Sequence, residues 1–172
     1  MSSNEEKWKG QIVAWREALE IPRDWRPFDL LNMQIHGCRM TPRVQAILNM
    51  VVASKLEGFY TKDRRTIRKA IQGTIVDISQ KPIRRAFTPD HGVNHCLCTS
   101  AQLVHLGLER MILPAEMMMF QGHNSSKLKY PAGSEAMSNR QARHLAGEGM
   151  FLPSLGLVVW CLLLTGSLGR SQ

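Results

Sequence analysis

The chain has 172 residues, with 22 Lys and Arg against 14 Asp and Glu, a formal charge of +8 and a pI near 9.7. That length suits one domain or a piece of a larger one. Apolar residues at 44% and charged residues at 21% exclude global disorder, and four cysteines are too few for a disulfide scaffold and fit a reducing compartment. The basic balance favours a polyanionic partner without naming it.

In chain order, the N-terminal residues lack the apolar core of a secretory signal. Asn4 is placed to cap a helix from Glu5 to about Glu20, with Trp8, Ile12, Trp15 and Leu19 on one stripe and Pro22 as its stop. Residues 21–40, with Pro22, Pro27 and Gly37, read as a connector. Thr41-Pro42 then starts a helix whose apolar face is Val44, Ile47, Leu48, Val51, Val52 and Leu56, closed by Gly58. Thr61 is a cap for a third helix over 62–72, with Ile67 and Ile71 as its buried seam.

After Gly73 the period changes. Residues 74–79 (Thr-Ile-Val-Asp-Ile-Ser) predict a strand, 80–94 a loop, and 95–100 (His-Cys-Leu-Cys-Thr-Ser) a second strand. Pro114 starts a short helix ended by Gly122, and 123–137 read as a loop. Ser138 caps a helix through about Leu145, with Gly147 and Gly149 as breakers. An apolar helix follows from about Leu152. Its dense part, Leu155–Thr165, is about 11 residues, short of the roughly 20 that span a bilayer, so a buried helix in a packed core is the expectation.

Three features bear on chemistry. His91, His95, Cys96 and Cys98 are zinc-ligand types, but all four crowd into eight residues with no second pair; a strand with a buried cysteine is the plainer reading. Residues 61–85 hold eight basic side chains against Asp63 and Asp77, a net +6 that fits phosphate contacts and a solvated helix face equally well. Within that segment Arg64, Arg65, Arg68, Lys69, Arg84 and Arg85 are the candidate DNA contacts. Met117-Met-Met119-Phe120 at helical spacing reads as core. There is no phosphate-binding loop of the Walker type, no His-Glu-x-x-His and no Gly-x-Ser-x-Gly.

One order of segments is specific. The strand at 74–79 and the segment 95–100 precede Arg110-Met-Ile-Leu-Pro-Ala-Glu116-Met-Met-Met-Phe-Gln121-Gly122. Ser138-Asn-Arg-Gln then leads to Leu145-Ala-Gly147-Glu148-Gly149-Met150 and the apolar helix. This order resembles the C-terminal part of the cytosine-5 DNA methyltransferases. There an Arg-x-Leu-Thr-Pro-x-Glu…Gln-Gly-Phe-Pro segment follows the target-recognition region, and a Gly-Asn-(Ser/Ala/Gly)-(Val/Met) segment opens the final helix. Arg110, Pro114, Glu116, Gln121 and Gly122 are the individual matches, and the resemblance covers roughly residues 74–165.

The resemblance implies that Gly147, Glu148, Gly149 and Met150 line a pocket for S-adenosylmethionine. Glu148 departs from the family's Asn, which both donates and accepts, whereas ionised Glu only accepts and adds charge near the cofactor's carboxylate. Leu113 replaces a capping Thr, a loss of about 1 kcal/mol for the following helix, and His123-Asn124 replaces Phe-Pro. The family's Pro-Cys-Gln nucleophile, its Glu-Asn-Val and its Phe-x-Gly-x-Gly loop do not occur in the chain.

The expectation is therefore a mixed, helix-rich α/β protein that resembles the C-terminal portion of a Rossmann-like methyltransferase fold. A mainly helical basic region, 1–73, precedes a methyltransferase-like segment, 74–172. Such a chain is a fragment, a split product or a degenerate relative. It grips duplex DNA, completes the pocket for a flipped cytosine beside a chain carrying the missing catalytic motifs, and does not methylate DNA alone. Its expected location is intracellular, nuclear if eukaryotic. The rival readings are a non-enzymatic basic DNA-binding module and, less favoured, a membrane-tethered protein.

Overall fold

A computed structural model of the chain describes residues 3–56, 59–88, 96–124, 138–149 and 151–164. It is mixed α/β and helix-rich, with a small antiparallel sheet. Two compact units emerge: residues 1–96 with 101–112, and residues 97–100 with 113–172. The first unit therefore takes in both the helical residues 1–73 and the sheet.

In the first unit α1 runs Ser3–Ala18. Asn4 lies inside the helix and is not its cap. The end comes before Pro22: Glu20 adopts a left-handed conformation (φ 52°), and Arg16 donates to the carbonyls of Pro22 and Trp25. Trp15 is buried, and Ile12 and Leu19 pack beside it against the core, as the stripe predicts.

The predicted connector contains a short helix, α2 (Pro27–Leu31). Pro27 presets the first turn, but Arg26 at the cap position has no acceptor. The acceptor comes from α3 (Pro42–Lys55) instead. Asn49 Oδ1 accepts from the backbone N–H groups of Phe28 (3.0 Å) and Asp29 (3.3 Å), and its Nδ2 donates to Asp29 Oδ1 (2.8 Å) and Gln45 O (3.0 Å). Asn49 is 4% exposed, so a core polar group is satisfied by capping a neighbouring helix. α3 itself begins as predicted, with Thr41 Oγ1 accepting from Val44 N–H, and its apolar face is the centre of the core. The predicted closure at Gly58 falls outside the described residues.

α4 (Arg64–Ile71) is capped by Asp63, not Thr61. Asp63 accepts from the N–H groups of Arg65 (3.2 Å) and Thr66 (3.1 Å), while Thr61 Oγ1 accepts from Asp63 N–H one step earlier. Ile67 and Ile71 are buried as expected.

The sheet has the order β1 (Ile75–Asp77), β2 (Leu103–His105), β3 (Arg110–Met111). Val76 stands opposite Val104, and His105 opposite Arg110. Phe87 bridges to Val76 on the far side of β1, and His36 pairs beside β3. A 3-10 turn at Pro82–Arg84 separates β1 from that return. The second strand predicted at 95–100 is absent over 96–100, and His95 lies outside the described residues; pairing falls instead at 103–105 and 110–111. Arg43 fixes the exit of β1, donating to the carbonyls of Ile78 (2.9 Å) and Gln80 (2.6 Å).

The second unit contains α5 (Pro114–Phe120), α6 (Asn139–Glu148) and α7 (Leu152–Leu164). Leu113 provides no side-chain cap for α5, but Glu116 accepts from its N–H (2.8 Å), keeping one half of a capping arrangement. Of the methionine run only Met117 is core, and Met119 is exposed. Ser138 caps α6 through Gln141 N–H, and Gln141 reaches back to Ser138 N–H (2.8 Å). This helix continues three residues beyond Leu145, through Gly147.

The expectation of a buried terminal helix is overturned. In α7 Leu157 is 63%, Trp160 60% and Leu163 57% exposed. Among the described residues no single helix is long and apolar enough to cross a membrane, although α6 and α7, bent by 40° to each other, pass together on length and composition.

Candidate functional site

The second unit brings two separated motifs into contact. Gln121, at the C-terminal end of α5, is 8% exposed. Its Nε2 donates to Ala146 O in the last turn of α6 (3.1 Å), a carbonyl near the helix end that needs an outside donor. Its backbone carbonyl accepts from Leu152 N–H at the start of α7 (2.9 Å). One side chain thus ties α5 to the end of α6, and its own backbone to the start of α7.

The glycines follow from the same closeness. A Cβ on Gly147 would lie 2.3 Å from Thr99 N and 2.4 Å from Cys98 C, so α6 presses on the 98–99 backbone where no side chain fits. Gly122 has φ +83°, and a Cβ there would meet Pro153 Cδ at 2.9 Å. Gly149 closes α6, and a Cβ there would sit 3.7 Å from Gln121 Cγ. Gly147, a helix breaker by residue type, is a contact residue inside the helix.

Glu148 is exposed and points along α6 to His144, with Oε1 3.1 Å from Nε2. The pair is ionic only while the imidazole is protonated. Met150, the last residue of the predicted pocket segment, lies outside the described residues. Arg110 belongs to the first unit, where its Nη1 donates to Met111 O (3.0 Å) within β3.

The predicted DNA contacts all lie in the first unit. On α4, Arg64, Arg65, Arg68 and Lys69 are exposed and occupy an arc of about 140° at 100° per residue. Arg68 is ion-paired with Glu109 from the turn between β2 and β3. That turn is held hard against α4: a Cβ on Gly107 would stand 1.9 Å from Gln72 O.

Arg84 and Arg85 are also exposed, but they sit on the 3-10 turn, which packs on α1, while α4 packs on α2 and α3. The +6 segment is therefore shared between two places. Arg84 donates to Gln80 Oε1 (3.3 Å). Arg85, with φ 48°, lies over the Trp15 ring at 5.8 Å, and Trp15 in turn stacks on Phe87 at 6.1 Å.

The cap of α4 carries a pH dependence. The Thr66 side chain, then the N–H groups of Thr66 and Arg65, hold the Asp63 carboxyl below its ordinary range. A depressed folded value means the stabilisation is present above the unfolded value and is lost as pH falls through the folded one. The first turn of α4 should therefore loosen only in acid below the usual carboxylate range. NMR carbon shifts of Arg64–Thr66 across an acid titration will report it, and Asp63→Asn should remove the transition. A transition that persists in Asp63→Asn assigns it elsewhere.

Among the described residues no group of three or more His, Cys, Asp or Glu is placed to hold a metal, and His91 and His95 lie outside them. No known protein family, curated protein or solved structure matches the chain.

Proposed function

We propose that the chain is a cytosine-5 DNA methyltransferase-like closing segment, the C-terminal portion of a Rossmann-like fold. It binds duplex DNA through its basic residues and completes an S-adenosylmethionine site whose catalytic cysteine belongs to another polypeptide. The carrying observation is the meeting of Gln121-Gly122 with Gly147–Gly149, two segments of the resemblance joined by the Gln121–Ala146 hydrogen bond. Spacing alone does not demand that contact.

α7 supports the same reading. A helix apolar all round is stable only when covered. At 13 residues it is about 20 Å long, short of a hydrocarbon core of about 30 Å. The cover we assign is the chain carrying the Pro-Cys-Gln and Glu-Asn-Val motifs, and the cellular location proposed is that of DNA.

Phosphate contact makes affinity fall with salt, with a log–log slope of about −0.9 per neutralised phosphate. Arg64, Arg65 and Lys69 have no ion-pair partner among the described residues, whereas Arg68 does. The variant Arg64→Ala/Arg65→Ala/Lys69→Ala should reduce the magnitude of the slope for duplex DNA by about 3, measured by anisotropy between low and moderate salt. An unchanged slope removes α4 from the interface. The second reading, a non-enzymatic DNA-binding module, is favoured by Glu148 in place of Asn, and predicts DNA affinity indifferent to S-adenosylmethionine.

A further inference from the structure

The proposed DNA contacts leave unused a cleft of about 310 Å³ in the first unit, between α1, the chain leading into α2, and α3. Its volume is at the small end of the range for ligand sites. Trp8 and Ile12 form an apolar wall, and Arg16, Arg23 and Arg26 bring three guanidinium groups to it. Asp29 is the one carboxylate in the lining, and its Oδ1 is held by the amides of Gln45 (3.0 Å) and Asn49 (2.8 Å).

The three arginines differ in role. Arg16 is committed to the carbonyls of Pro22 and Trp25. Burial first, and the nearby Arg26 second, lower its pKa, while Asp24 opposes them. Arg23 and Arg26 are exposed and have no ion-pair partner among the described residues. Two guanidinium groups without ion-pair partners among the described residues stand beside an indole whose ring also carries Lys9 Nζ at 5.8 Å, a phosphate clamp next to a stacking platform with one face to offer.

We propose that this cleft binds a single nucleotide unit, with its base against Trp8 and its phosphate on Arg23 and Arg26. The proposal goes beyond the methyltransferase reading and does not depend on it. The unit is either a free mononucleotide or one residue of a single strand, and the same chemistry serves both.

The test uses the full chain, with AMP, adenosine and inorganic phosphate in calorimetry and a short labelled single-stranded oligonucleotide in anisotropy. AMP should bind at least ten-fold more tightly than adenosine or phosphate alone. Arg23→Ala/Arg26→Ala and Trp8→Ala should each weaken AMP at least ten-fold, and Trp8→Phe should restore most of the affinity. Because Arg23 and Arg26 are exposed, their variant reports binding without a folding loss, checked by circular dichroism. An oligonucleotide that binds more tightly than AMP and is weakened by the same variants assigns the site to a strand; equal affinities assign it to the free nucleotide. No AMP binding at millimolar concentration, or variants that bind as well as the parent, would overturn the proposal.

Discussion

Gly147→Ala should destabilise the second unit by about 3 kcal/mol, at the upper end of the cost of overpacking. The added methyl would stand 2.3–2.4 Å from backbone atoms of Cys98 and Thr99, and backbone cannot turn aside as a flexible side chain does. Either α6 lifts from the 98–99 segment or the segment shifts, and the Gln121–Ala146 hydrogen bond is strained with it. Gly10→Ala is the internal control. Gly10 also lies within a helix but has nothing within 4 Å of its added carbon, so the same substitution should stabilise α1 by up to about 1 kcal/mol. Thermal unfolding followed by circular dichroism should therefore move in opposite directions for the two variants. Equal shifts would mean that helix propensity, not contact, governs Gly147.

Asn49→Leu should destabilise the first unit by about 3 kcal/mol despite replacing a polar core residue with an apolar one of similar size. It removes the side-chain acceptor that serves the N–H groups of Phe28 and Asp29, and Arg26 cannot cap α2 in its place. Buried donors left without partners cost about 1–3 kcal/mol each, more than the gained apolar burial returns. Asn49→Asp keeps an acceptor but sets a second carboxylate against Asp29, so it should be milder in acid than at neutral pH. Denaturant unfolding of the three proteins at two pH values checks both statements. Asn49→Leu as stable as the parent would show that α2 needs no cap from α3.

These two residues mark what sequence reading reaches. α3 was legible because its signals are local: Thr41 caps, Pro42 starts, and the apolar residues repeat at helical spacing. α2 was not, because its cap lies 21 residues downstream in Asn49. The strand expected at 95–100 failed over 96–100 because a short apolar run does not say whether a partner strand is in register; the pairing went to three-residue and two-residue strands too short to carry a pattern. Gly147 was visible as a glycine in a motif, but its reason is a close approach to residues 98–99, which only the fold supplies.

The candidate site divides in the same way. Gln121, Gly122, Gly147 and Gly149 were read from the order of motifs, and the fold adds the bond that joins them. The basic cluster was legible as charge, but its division between α4 and the turn on α1 was not, nor was the pairing of Arg68 with Glu109. The cleft of Trp8, Arg23 and Arg26 was missed, because its residues are scattered across a helix and a connector. α7 reads as core by composition, yet its large apolar side chains Leu157, Trp160 and Leu163 are exposed.

We propose that this chain completes a DNA methyltransferase site whose cysteine lies in another polypeptide. The direct measurement is transfer of a labelled methyl group from S-adenosylmethionine to cytosine in duplex DNA, using a polypeptide that carries the Pro-Cys-Gln, Glu-Asn-Val and Phe-x-Gly-x-Gly motifs, with and without this chain. The account predicts transfer only when both are present, none with this chain alone, and loss of transfer when Gly147 is replaced by alanine. Full transfer with this chain omitted would contradict it.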